Sequence, residues 1–173
     1  YLLTGNRPLP SLEYPAIGSV VSKELTSPPD MPPYVAIPNT QVGGGFLGLQ
    51  YGPFATNAQP KLGTPFNVRG IGLQNGMTLA DVQRREKLLA QVDTTFRDIE
   101  AKSDVLSGLD EFSEQAFNMI SSPRARDAFD MSKEKESVTK RFGDGEVNQS
   151  ALLAVRLIEA GARFVTLTTG SWD

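Results

Sequence analysis

The sequence predicts an α/β domain, and three observations carry that expectation. Residues 147–173, VNQSALLAVRLIEAGARFVTLTTGSWD, parse as a helix, a glycine stop, a strand and a polar loop. A second short run of strand character, YVAI from Tyr34 to Ile37, is ended by Pro38. Between them, from Thr78 to Arg141, apolar residues recur at helical spacing with charges on the opposite side, which predicts a helical subdomain over 78–142.

Taken in order, Tyr1 to Glu13 is a lead-in punctuated by proline and glycine. Pro15 is placed to open a helix running to about Leu25, with Ile17, Val20, Val21 and Leu25 as its apolar face. Ser19, Ser22 and Lys23 lack the serine-x-x-lysine spacing of a nucleophile pair, so Lys23 is expected to face solvent. Ser27 to Pro33 is a proline-rich turn leading into YVAI.

The stretch after that strand holds Gly43, Gly45 and Gly48 at the spacing of a dinucleotide-binding fingerprint. The fingerprint also wants an acid about 20 residues on to hold a ribose hydroxyl. No Asp or Glu occurs between Asp30 and Asp81, and Gly52 and Pro53 interrupt any following helix. These glycines therefore read as a loop that packs closely on its neighbours. From Gln50 to Met77 the only charges are Lys61 and Arg69, and a strand is expected over Phe66 to Leu73. Phe46, Tyr51, Phe54 and Phe66 need something to cover, which argues for an ordered surface segment over a free linker.

Thr78, with Asp81 three residues on, has the form of a helix N-cap. The helix that follows to Lys102 would bury Leu79, Val82, Leu88, Leu89, Val92, Phe96 and Ile99. A second helix is expected from Leu109 to Ile120, a third behind Ser122 and Pro123, and a fourth from Lys133 to Arg141 before Gly143. In the closing block, Val147, Ala151, Val155 and Ile158 form one helical face, and Leu152, Leu153 and Leu157 widen it. Gly161 supplies a left-handed cap, and Arg163 to Thr168 is expected as an interior parallel strand burying Phe164 and Leu167 on opposite faces. Ligands of open α/β sheets gather beyond the carboxyl ends of strands. Thr168, Thr169, Ser171, Trp172 and Asp173 fall at such an end, and Asp173 is the leading functional candidate. By type and position alone it reads either as a metal ligand or as a loop-capping aspartate.

Composition narrows the classes. With 39% apolar and 21% charged residues in a chain of 173, a single core can be buried. No apolar run reaches the roughly 20 residues of a membrane span. A net charge of −3 with scattered cations leaves no electrostatic footprint for nucleic acid. The chain has no cysteine, which excludes disulfides, thiolate metal sites and a cysteine nucleophile. It has no histidine either, which is unusual for a self-sufficient hydrolase or metalloenzyme, so 1–173 is expected to be an internal fragment of one larger domain. The Asn148-Gln149-Ser150 acceptor pattern lies at a helix start and reads as chance.

YLLTGNRP, PAIGSVVSKEL, PPYVAIPN, GGGFLGLQYGPF, SPRARDAFDMSKE and QSALLAVRLIEAGARFVTLTTGSWD, in that order, resemble the bacterial domain-of-unknown-function family 1501 of the alkaline phosphatase and sulfatase-like superfamily. The resemblance spans essentially the whole chain. It implies a three-layer α/β/α sandwich, with 78–142 as a helical insertion and 147–173 as the core helix, strand and loop leading to a metal site. In that family the last block normally continues Trp-Asp-Thr-His, so the resemblance makes Asp173 a metal ligand, with Thr168, Thr169 and Ser171 orienting it and Trp172 walling the cleft. The implied cofactor is a divalent ion, whether zinc, manganese, magnesium or calcium. The implied partner is a small-molecule or glycan ester of sulfate or phosphate, and the implied location is the bacterial envelope or periplasm. The competing expectation is a binding or export-accessory protein that keeps the fold without the chemistry, using the 46–66 segment as its surface.

Overall fold

The computed structural model describes residues 2–68, 71, 78, 80, 81, 84, 87, 88 and 117–170. Its elements are α1 (Ile17–Glu24), β1 (Tyr34–Ile37), β2 (Phe54–Ala55), α2 (Pro123–Phe129), α3 (Glu136–Phe142), α4 (Glu146–Ala160) and β3 (Phe164–Leu167). Short 3₁₀ turns occupy Gly45–Leu47, Leu49–Tyr51 and Met131–Lys133. None of the described helices is long and apolar enough to cross a membrane.

Among the described residues the chain is a mixed α/β fold on a parallel sheet of three strands in the order β2-β1-β3. β1 is central: Tyr34 pairs with Phe164 and Ile37 with Leu167 on one side, and Val35 pairs with Phe54 on the other. All four residues of β1 are buried, so both of its faces must be covered. On one face Tyr34 stacks edge-on against Phe164 at 5.5 Å, and its hydroxyl bonds Thr166 Oγ1 at 3.1 Å. α1 lies over this ring pair at Gly18, where a Cβ would come within 2.7 Å of both rings. On the other face Val35, Ile37, Val165 and Leu167 pack into one core with Leu153 and Leu157 of α4 and Ala125, Ala128 and Phe129 of α2.

Local punctuation matches the sequence reading. Ser122 caps α2 by accepting from Ala125 N, with Pro123 in the first turn. The Ser122 hydroxyl also donates to Asp30 at 2.7 Å, fastening α2 to the turn before β1. Thr78 and Asp81 cap reciprocally: Thr78 N donates to Asp81 Oδ2 and Asp81 N to Thr78 Oγ1, and Ala80, Asp81, Arg84, Lys87 and Leu88 are helical. Gly161 is left-handed at φ +117°, and the bonds Gly161 N to Ile158 O and Ala162 N to Leu157 O close α4 in a Schellman pattern. The helix expected from Lys133 to Arg141 is a 3₁₀ turn followed by α3.

In α1 and α4 the buried face differs in part from the sequence reading, while Leu152, Leu153 and Leu157 of α4 are buried as expected. In α1 it is Gly18 and Ser19 that are buried, while Ile17 and Val20 are 47% and 43% exposed. The Tyr34 and Phe164 rings stand too close to the helix axis for a large side chain, so the small-residue face docks. In α4, Gln149, Ser150, Leu152, Leu153 and Leu157 are buried, and Val147, Val155 and Ile158 are exposed. Gln149 and Ser150 tolerate burial because they donate to Gly143 O and Glu146 O. Leu88 is exposed as well, and Phe117 and Ile120 are half-buried beside a buried Met119.

Two strand expectations also change. β3 is parallel as expected, with Phe164 and Leu167 on opposite faces, but among the described residues it is an edge strand, half-buried throughout. Residues 66–68 are not strand; Val68 O accepts from Ile71 N at 3.2 Å, and both side chains join the core. The rest of the 66–73 segment, residues 89–116 and residues 171–173 lie outside the described residues.

Arg156 ties α4 to the end of α2. Its guanidinium donates to the carbonyls of Asp127, Ala128 and Asp130 at 2.6, 3.2 and 3.1 Å, and to Glu134 Oε2 at 2.7 Å. The side chains of Arg156 and Glu134 are only 14% and 18% exposed. The Arg156 hydrogen bond, followed by the Lys135 N–H, holds the Glu134 carboxyl below the usual carboxylate range. A depressed folded pKa means that this contribution is complete above the unfolded value, about 4.3 for glutamate, and is lost as pH falls through the folded pKa. Arg156→Met is expected to cost about 3 kcal/mol at pH 7 in urea unfolding, because it strands a partly buried carboxylate and three carbonyls. The gap from wild type should narrow on acidification below about pH 4. A gap that stays constant with pH would show that Glu134 takes no part.

Candidate functional site

Three parallel strands deliver three chain segments to one edge of the sheet. β1 runs out through Pro38 and Asn39, β2 through Thr56 and Asn57, and β3 through Thr168 and Thr169. Proline at 38 ends strand pairing because it has no N–H to give. The segments are then stitched together by polar contacts. Thr168 N donates to Ile37 O at 2.8 Å, and the Thr168 hydroxyl to Asn39 O at 2.7 Å. Asn57 N donates to Pro38 O at 2.7 Å, and the Gln59 amide reaches Thr168 O at 3.4 Å.

Thr56 is the buried member, 3% exposed, and its hydroxyl donates to Ala58 O at 2.8 Å. That bond turns the chain sharply after β2 and brings Asn57 to φ +55°, a left-handed conformation that asparagine tolerates better than most side chains. Asn39, Asn57, Thr168 and Thr169 are exposed. The edge is therefore a fixed set of hydroxyl, amide and carbonyl groups in contact with solvent.

Among the described residues the edge carries no acid or base. No charged residue occurs between Asp30 and Lys61, or between Arg163 and Asp173. Of the residues singled out by sequence, Thr168 and Thr169 stand on this edge; Ser171, Trp172 and Asp173 lie outside the described residues. Among the described residues there is no group of three or more His, Cys, Asp or Glu side chains that could hold a metal ion. The described edge thus suits the hydrogen-bonding surroundings of a carboxylate ligand, and does not itself make up a ligand set.

Asn39, Thr56, Asn57 and Gln59 were missed by sequence reasoning because they belong to strand ends far apart in the chain. The uncharged run from residue 31 to residue 60 was the one signal that pointed to them. The glycine loop behaves as a packing device. Gly45 is left-handed at φ +51°, and a Cβ there would meet the Glu13 and Pro15 backbone at 2.5 Å.

A separate cleft of about 950 Å³ opens on the helical face, between residues 61–68, α2, the 131–133 turn and α4. Its cations among the described residues are already engaged: Lys61 pairs with Glu146 at 2.8 Å, and Arg126 donates to Ile120 O at 2.9 Å. It presents less free chemistry than the strand ends do.

Parallel strands covered by helices on both faces, with a polar edge at their carboxyl ends, make a mixed α/β fold among the described residues. The chain belongs to the family described as Protein of unknown function (DUF1501), whose model it matches over residues 1–173. Comparison with curated proteins and with solved structures returns no match.

Thr56 sets the shape of this edge from beneath. Thr56→Val keeps the volume and removes the hydroxyl, leaving a carbonyl unpaired, so chemical denaturation should show a loss of about 1 kcal/mol. Hydrogen exchange should quicken at the Asn57 amide. Unchanged exchange there would mean that the turn after β2 holds itself.

Proposed function

We propose that this chain is part of a metal-dependent hydrolase of sulfate or phosphate esters, of the alkaline phosphatase and sulfatase-like kind, with its site at the carboxyl edge of the sheet. The observation that supports the reading is the parallel run of β1, β2 and β3 to one edge, from which β3 leads in sequence through Thr168 and Thr169 to the block ending at Asp173. Strand ends of this kind are where open α/β sheets collect ligands.

In this reading Asp173 gives a carboxylate to a divalent zinc, manganese, magnesium or calcium ion. Such an ion, when bound, polarises the ester oxygen and favours ionisation of the attacking group. Thr168, Thr169 and Ser171 orient the carboxylate, as outer hydrogen-bonding groups commonly do around metal ligands, and Trp172 shields the cleft from water. The substrate is a small-molecule or glycan ester, and the bacterial envelope is the proposed setting.

A second reading has an observation of its own. Phe46 and Leu49, on the uncharged loop after β1, are 60% and 82% exposed. Exposed apolar groups in a charge-poor surface fit a binding or export-accessory protein that retains the fold without the chemistry.

Metal titration of the complete gene product separates the roles of Asp173. Asp173→Asn should weaken metal affinity by roughly 10 to 100-fold, while the melting temperature of the metal-free protein stays close to wild type. Equal metal affinity with a metal-free protein less stable by about 1 kcal/mol would assign Asp173 to loop capping instead.

A further inference from the structure

We infer that the carboxyl edge recognises a neutral, hydroxyl-rich body, so that the esters acted on are carried on a carbohydrate. The ester half rests on the proposed hydrolase function; the carbohydrate half rests on the edge itself. The first observation is the charge distribution. Acids and bases make up 21% of the chain, yet the 30 residues from 31 to 60 contain none, and neither do residues 164–172. The β1 and β3 pairing brings the described parts of these two uncharged stretches together. Burial accounts for β1 itself, but Asn39, Gln41, Asn57, Thr168 and Thr169 are exposed, and exposed positions are where charge is ordinarily abundant.

The second observation is the kind of group presented. Asn39, on the central strand's exit, is exposed, and its side-chain amide forms no hydrogen bond among the described residues. Asn57 uses its Nδ2 on Ala55 O at 3.2 Å, and Gln59 uses its Nε2 on Thr168 O, which leaves both amide oxygens as acceptors. Thr168 donates to Asn39 O and retains lone pairs. The edge therefore offers donors and acceptors side by side.

That mixture discriminates between ligands. A sulfate or phosphate group has acceptors only, so it would leave the amide oxygens facing its negative charge. It would also find no cation on the described edge, because Lys61 is paired with Glu146 and Arg163 donates from the opposite end of β3 to Thr26 O. A sugar hydroxyl both donates and accepts, and matches the edge without a countercharge. Asn39, Asn57, Gln59 and Thr168 are thus assigned to the non-reacting body of the substrate. The anionic ester is left to the metal centre of the proposed function.

The test uses the complete gene product, pairs of the same oligosaccharide with and without sulfate, and inorganic sulfate and phosphate alone, followed by calorimetry. The unsulfated oligosaccharide should bind. Asn57→Gly should weaken that binding on the order of tenfold, the loss of about one hydrogen bond. Glycine accepts φ +55°, so the melting temperature should hold. Gln59→Leu should act in the same direction. Binding of the inorganic ions alone, absence of binding to every unsulfated sugar, or sugar binding unchanged in both variants would overturn the inference. Sulfate release from the paired glycan is measured separately. Sugar binding without release in the presence of metal sinks the hydrolase reading and leaves the recognition standing; turnover of an aryl ester without sugar binding does the reverse.

Discussion

The structure depends on one constraint, which is that β1 is buried on both faces and along both edges. Its four residues separate two packing problems. Tyr34 and Ala36 face α1, and Val35 and Ile37 face the helices that follow. The first face is solved by removing a side chain: Gly18 lets α1 settle on the Tyr34 and Phe164 rings. The second is solved by filling space, with Leu153, Leu157 and Phe129 closing over the sheet. Phe129 then reaches Phe54 of β2 at 5.9 Å, so the two-residue β2 is held as much by ring contact as by its ladder. Once these contacts are made, the strand ends have no freedom to separate, and the polar edge follows from the core.

The parts of the fold that could be read from sequence are those set by a few adjacent residues. Ser122 with Pro123, Thr78 with Asp81, and Gly161 each satisfy backbone groups within a turn or two, so residue type and spacing suffice. The YVAI and RFVTLT runs were legible for the same reason, since Pro38 and Gly161 bound them. Helix faces were not. α4 has apolar residues around most of its circumference, so several faces satisfy the same period. The face that wins is decided by what lies opposite, and it includes Gln149 and Ser150, which no hydropathy pattern would select. α1 inverts the usual rule more sharply, because close approach to two rings favours glycine and serine over isoleucine and valine. β2 offers only Phe54 and Ala55, too short to alternate, and Val68 and Ile71 enter the core from a turn.

The site shows the same division. Thr168 and Thr169 could be placed because they follow a strand directly. Asn39, Asn57 and Gln59 acquire meaning only when parallel pairing sets their strand ends side by side, a relation between segments far apart in the chain. The missing charge between Asp30 and Lys61 is plain in the sequence, but it becomes a property of a surface only after the fold shows which of those residues reach solvent.

On the proposed function, a domain of this form separates stability from recognition. The Arg156 network joins α4 to the end of α2 and the turn after it, and the described strand ends carry neutral groups. In that reading, charge at the site would come from the metal and its carboxylates, and selectivity from the neutral edge. Anomalous diffraction from crystals of the complete gene product grown with manganese tests this division most directly. A manganese peak is expected beyond the carboxyl ends of β1 and β3, with an Asp173 oxygen about 2.2 Å from it, in the range of hard-ion oxygen distances. A peak in the cleft beside α2, or Asp173 turned back onto its own loop with manganese bound elsewhere, would contradict it.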